Sequence, residues 1–166
     1  VGFEQLEEFG VDTLLIGHSE RRHILGEEQS FIAKKYAYAK EKKSEIIYCV
    51  GEPQEIREQG IDAVMRYIWE QFEDIDMSYE RLIVAYEPVW AIGTGLSASL
   101  ADIEEVLARL AQKLSAPLLY GGSVKVDNLE SILHVKHCQG VLVGTASWNE
   151  EAFCKMIEIA DSVTKG

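Results

Sequence analysis

Five short apolar runs punctuate the chain, at residues 13–17 (TLLIG), 46–50 (IIYCV), 81–86 (RLIVAY), 117–120 (PLLY) and 141–144 (VLVG). They are nearly continuous rather than alternating, the pattern of strands buried on both faces in a parallel sheet. The segments between them carry helical period instead. Ile61, Val64, Met65, Ile68, Phe72 and Ile75 recur at three- and four-residue steps, as do Leu100, Ile103, Leu107, Leu110 and Leu114. Each series lays one apolar stripe along a helix. Ser99 with Asp102 three residues later predicts a helix start of capping-box type. Asn149 before Glu150 and Glu151 predicts another N-cap, with acids in the first turn where the helix dipole favours them. Residues 3–9 predict a short helix leading into the first strand.

The order is therefore βα repeated five times, with right-handed crossovers expected. No Pro-, Gly- or Ser-rich linker divides the chain, so residues 1–166 read as one domain. From element order alone the expectation is a doubly wound, flavodoxin-like sheet. Polar and glycine residues follow every strand, however: Gly17-His18-Ser19-Glu20, Gly51-Glu52, Glu87-Pro88, Gly121-Gly122-Ser123 and Gly144-Thr145. Ligands in parallel α/β folds bind at the carboxyl ends of strands. Five contributing strands with no switch point favour the arc of a barrel over an open sheet.

Composition narrows the partners. Hydrophobic residues make up 47% and charged residues 27%, ordinary values for a globular protein. The longest apolar runs fall far short of a membrane helix, and residues 1–4 do not read as a signal peptide. Val1 stands where an initiator Met would, which suggests a start within a longer gene. A formal net charge of −12 disfavours nucleic acid and anionic membrane surfaces. A small anion remains compatible, because backbone N–H groups can bind it locally. Cys49, Cys138 and Cys154 show no paired spacing, and read as idle thiols of a reducing cytoplasm. His134, His137 and Cys138 lie close together but lack a second ligand pair at metal-binding spacing.

The strand ends hold the candidate chemistry. His18 opens a dense polar run, residues 18–23, directly after a buried strand. Such a run needs a salt-bridged network or a site to offset its desolvation. Glu87 ends an apolar strand, and Pro88 biases its backbone towards the extended region. A carboxylate at the mouth of an apolar pocket is a candidate base, since burial raises its pKa; a capping or paired Glu is the plainer alternative. Residues 88–95 (PVWAIGTG) form a loop with apolar side chains at its tip, which reads as a closing lid or as a core plug. Gly121-Gly122-Ser123 and Gly144-Thr145, after consecutive strands, suit a backbone nest for an anion.

His18-Ser19-Glu20-Arg21, Cys49-Val50-Gly51-Glu52, Tyr86-Glu87-Pro88-Val89-Trp90-Ala91-Ile92-Gly93-Thr94-Gly95, Tyr120-Gly121-Gly122-Ser123-Val124 and Val143-Gly144 together resemble, in order and spacing, the signatures of the triosephosphate isomerases. The resemblance implies a TIM-type parallel (β/α) barrel, incomplete here, with about five of eight βα units (strands four to eight) in a fold of roughly 250 residues. It implies Glu87 as general base and His18 as the neutral imidazole that polarises the carbonyl; this family is the standard worked case of such tuning. It further implies that Gly93, Ser123, Gly144 and Thr145 offer N–H groups to the phosphate, and that residues 88–95 form the lid. Glu20 and Arg21 become scaffolding, and Cys49 a buried strand residue. The implied reaction interconverts dihydroxyacetone phosphate and glyceraldehyde 3-phosphate, in glycolysis and gluconeogenesis, without metal or cofactor. The implied full-length protein is a cytoplasmic homodimer.

Three positions depart from the family pattern. Thr145 stands where a second glycine is common, and Leu96-Ser97 where Lys-Thr is common. The family's Asn-x-Lys at the end of strand one has no counterpart among these residues, and that lysine supplies positive charge to the substrate. An aldolase-like phosphate-binding barrel would need a Schiff-base lysine at a strand end, and none of the five ends in Lys. A half-barrel that binds phosphate or a partner without turnover is the remaining alternative.

Overall fold

The computed structural model describes residues 2–92 and 97–164. Five strands form one parallel sheet: β1 (Thr13–Ile16), β2 (Glu45–Val50), β3 (Leu82–Tyr86), β4 (Leu118–Tyr120) and β5 (Gly140–Val141). The helices are α1 (Phe3–Glu8), α2 (Ser19–His23), α3 (Gln29–Glu41), α4 (Gln54–Arg57), α5 (Ile61–Glu70), α6 (Leu100–Ala111), α7 (Val126–Leu133) and α8 (Glu150–Thr164). None of them, among the described residues, is long and apolar enough to cross a membrane.

Spatial order equals sequence order, β1-β2-β3-β4-β5. A doubly wound sheet would reverse direction at a switch point, so the expectation from element order alone fails and the barrel arc is what forms. Register explains the asymmetry of the two faces. Ile16, Tyr48, Val84 and Leu118 align across four strands, and all are buried in the core shared with the helices. Leu15, Ile47 and Ile83 align on the opposite face, where Leu15 is 44% exposed and Ile47 and Ile83 are half-buried. One face is covered and the other is open, as in an incomplete (β/α) barrel viewed from its lumen.

Local signals act as their chemistry demands. The Ser99 hydroxyl accepts from the Asp102 N–H at 3.1 Å, and the Asp102 carboxylate accepts from the Ser99 N–H at 3.1 Å. Asn149 caps α8 through Ala152 N–H at 2.9 Å. Two expectations shift. The stripe through Phe72 and Ile75 outlasts α5, whose tail tightens into i→i−3 bonds (Gln71 to Ile68, Phe72 to Trp69, Glu73 to Glu70). Both side chains stay buried, because three-residue steps return them to one face. The run at 141–144 supplies only the end of a two-residue strand, paired as Leu119↔Gly140 and Tyr120↔Val141. The Leu142 N–H still donates to the Tyr120 carbonyl at 2.9 Å, and Leu142 and Val143 line a cavity.

Candidate active site

β1 ends at Ile16, Gly17 turns the chain, and His18 becomes the N-cap of α2. Its Nδ1 accepts from the Glu20 N–H at 3.4 Å, which leaves Nε2 as the nitrogen free to donate. Nε2 faces Oε1 of Glu87 at 3.2 Å. In this contact Nε2 is the donor and the Glu87 carboxylate the acceptor. The other oxygen of Glu87 accepts from the Ser19 N–H at 3.0 Å. Strand β3 delivers the carboxylate to this point, and the Glu87 N–H is held by the Val50 carbonyl at 2.7 Å.

Glu87 is 2% exposed and His18 28%. Burial pushes the Glu87 carboxyl above the ordinary carboxylate range, against the opposing pull of His18, the Ser19 N–H, the Cys49 thiol and Arg22. A carboxylate so placed accepts a proton more readily than one in water. The Cys49 thiol is pushed up by its own burial and by Glu87, which makes it a quiet neighbour rather than a nucleophile. Close packing makes this corner possible: a Cβ on Gly51 would lie 1.8 Å from the Glu87 carbonyl oxygen, so no other residue fits there.

His18 and Glu87 open into a cavity of about 750 Å³ lined also by Ser123, Gly144 and Thr145. Among the described residues the backbone N–H groups of Gly122, Ser123, Gly144 and Thr145 have no acceptor, an arrangement suited to an anion. Val89 and Ile92 supply an apolar wall. Gly93, the remaining expected contact, lies outside the described residues, as do Thr94 and Gly95 of the expected lid. The cluster of His134, His137 and Cys138 is not drawn together as ligands: His134 Nδ1 meets the Glu130 carbonyl at 2.8 Å and Cys138 Sγ the Gly140 carbonyl at 3.2 Å.

One residue beside the site escaped sequence reasoning as more than a polar strand end. Glu52 has no exposed surface, and burial pushes its carboxyl up. Its Oε1 accepts from Tyr86 and from the Trp90 indole, each at 3.0 Å, and its carbonyl accepts from Val89 N–H at 3.1 Å. The segment following Glu87 is therefore moored to the end of β2.

The sequence profile described as Triosephosphate isomerase matches residues 1–160. A protein named triosephosphate isomerase from a Nitratiruptor species is 54% identical over 160 residues, covering 96% of this chain and 69% of that protein. Its namesake from Sulfurimonas denitrificans is 54% identical over 165 residues, covering 99% and 69%. That from a Sulfurovum species is 55% identical over 157 residues, covering 95% and 69%. With sheet order, strand-end residues and likeness along nearly its whole length in agreement, the chain belongs to the triosephosphate isomerase family.

Proposed function

We propose that residues 1–166 act as one partial-barrel domain carrying the base and the electrophile for interconversion of dihydroxyacetone phosphate and D-glyceraldehyde 3-phosphate. The observation that carries this reading is the 3.2 Å approach of His18 Nε2 to Glu87 Oε1 at one wall of the cavity, with Ser123, Gly144 and Thr145 on the same cavity's lining.

In this reading Glu87 takes the proton from the carbon beside the substrate carbonyl. The C–H electrons move into a carbon–carbon double bond, and the carbonyl oxygen becomes the enediolate oxygen. The Nε2 proton of His18 is directed at that oxygen, and a neutral imidazole can donate and recover it as the two oxygens exchange roles. Glu87 then returns its proton to the adjacent carbon. The N–H groups of Ser123, Gly144 and Thr145 hold the phosphate and so fix which carbon faces the carboxylate. Residues 88–95 exclude water, which protects an intermediate able to expel phosphate. At full length the same reading places a homodimer in the cytoplasm.

A non-catalytic reading has one observation in its favour: Leu15, Ile47 and Ile83 leave the lumen side of the sheet open. A chain in that state would bind phosphate without holding the base still. The test is a coupled isomerase assay in D₂O on residues 1–166 and on the chain extended to its relatives' length. Turnover with deuterium at the carbon beside the product carbonyl is expected of the extended chain. Phosphate binding without turnover in both would establish the second reading.

A further inference from the structure

We infer that Arg22 is a positioning residue for the His18–Glu87 pair, an inference that rests on the functional reading above. Its guanidinium folds back from α2 under the strand ends and feeds four acceptors. Nε donates to the Gly17 carbonyl at 2.8 Å, and Nη1 to Gln29 Oε1 at 2.8 Å. Nη2 donates to Tyr48 OH at 2.9 Å and to the Cys49 carbonyl at 3.3 Å.

Each bond leads towards one of the two side chains. Gly17 immediately precedes His18 and has φ +78°, and a Cβ there would lie 2.7 Å from Nη2 of Arg22. The turn that presents His18 is thus shaped around the guanidinium. On the other side, Tyr48 OH donates to the Gln71 carbonyl. The Gln71 side chain, itself buried, then grips Gly51 twice, accepting from its N–H at 3.1 Å and donating to its carbonyl at 2.8 Å. Gly51 is the residue packed against the Glu87 backbone. A continuous polar frame therefore runs from the carrier of the electrophile to the carrier of the base, with Arg22 as its hub. A planar five-donor fork satisfies divergent acceptors in a way that the single ammonium of lysine cannot.

Two variants test this, Arg22→Lys and Tyr48→Phe, the second removing only the hydroxyl between Arg22 and Gln71. Both are made in the extended chain, and ¹⁵N spectra of the His18 ring are recorded beside steady-state kinetics. Positioning predicts a kcat loss of about tenfold to a hundredfold at nearly constant KM, since displacement of reacting groups costs on that order. It also predicts that the His18 ring departs from the pure Nε2–H tautomer in Arg22→Lys. A purely structural staple would lower the melting temperature alone. Wild-type ring resonances and wild-type kcat in both variants, or equal losses in kcat and 1/KM, would overturn the inference. If Arg22→Lys does not fold, the kcat–KM split in Tyr48→Phe decides. If the wild-type extended chain has no activity, the functional reading falls, while the ring spectra still report whether Arg22 sets His18.

Discussion

The Trp90 indole N–H donates at 3.0 Å to Glu52, a carboxylate 38 residues away with no exposed surface. Tyr86, one residue before Glu87, donates to the same oxygen. The strand carrying Glu87 and the turn leaving it are therefore fastened to one buried anchor. Trp90→Phe keeps the ring and removes the donor. We expect a loss of about 0.5–1.5 kcal/mol, the usual net worth of one hydrogen bond where a second donor, Tyr86, still reaches the acceptor. Equilibrium urea denaturation measures it, and an unchanged midpoint and slope would remove the bond from the fold's stability.

Glu52 also makes a pH-dependent contribution whose sign can be worked out. Its Oε2 is buried without a partner among the described residues, and burial raises its carboxyl above the ordinary value of 4.5. Below 4.5 the group is protonated in folded and unfolded chains alike, and its favourable contribution is fully present. As pH rises from there, the unfolded chain ionises first, and the fold loses stability until the raised folded value is passed. Glu52→Gln abolishes this titration. The stability of wild type relative to Glu52→Gln should fall steadily from pH 4.5 upwards. A difference that is flat or rising with pH in denaturation experiments would contradict the assignment.

How much of this was open to sequence reasoning depended on the distance over which each feature is decided. Ser99 with Asp102 and the Asn149 cap are settled within one helical turn, and both were legible. His18 and Glu87 were legible for a different reason: each follows a buried strand, and parallel strands deliver their carboxyl ends to one side. Glu52 follows a strand in the same way, yet its partners lie 34 and 38 residues away, and only the register Val50↔Tyr86 brings them together. Arg22 reads as one charge in a polar run, whereas its acceptors come from β1, α3 and β2. The length of β5 depends on how many strands flank it, which no local pattern encodes.

Glu87→Asp, assayed in the extended chain, should lower kcat by about a hundredfold or more while leaving KM within a few-fold. The shorter side chain cannot keep both the 3.0 Å bond to Ser19 N–H and the 3.2 Å approach to His18. A base moved by one methylene loses the alignment on which proton abstraction depends. Wild-type kcat in this variant would exclude Glu87 from the chemistry.

The proposed anion nest is open to direct observation. Titration with inorganic phosphate should shift the amide resonances of Ser123, Gly144 and Thr145 together, with a single dissociation constant. Their N–H groups line one cavity and have no acceptor of their own among the described residues. Sulfate should compete for the same site and shift the same amides. If these amides stay still while exposed lysines respond, the phosphate binds elsewhere.

Residues 1–166 by themselves should self-associate. Among the described residues β1 pairs only with β2, and β5 only with β4, so each leaves a row of backbone groups without a neighbouring strand. Beside the β1 edge stand Val11 and Leu15, 39% and 44% exposed, with Ile47 and Ile83 half-buried behind them. An apolar sheet face next to an open edge is the usual template for pairing with a second chain. Each large side chain returned to cover contributes about 1.5–3 kcal/mol, comparable with a sizeable share of a domain's total stability of about 5–15 kcal/mol. Sedimentation velocity should show a weight-average coefficient that rises with concentration in the micromolar range. Leu15→Lys, which places a charge on the exposed face, should lower that association without lowering the melting temperature of the helix-covered core. The extended chain should lose the open-ended association, because its additional strands occupy both edges. A concentration-independent monomer with one cooperative unfolding transition would mean that five strands and one covered face suffice for a stable protein.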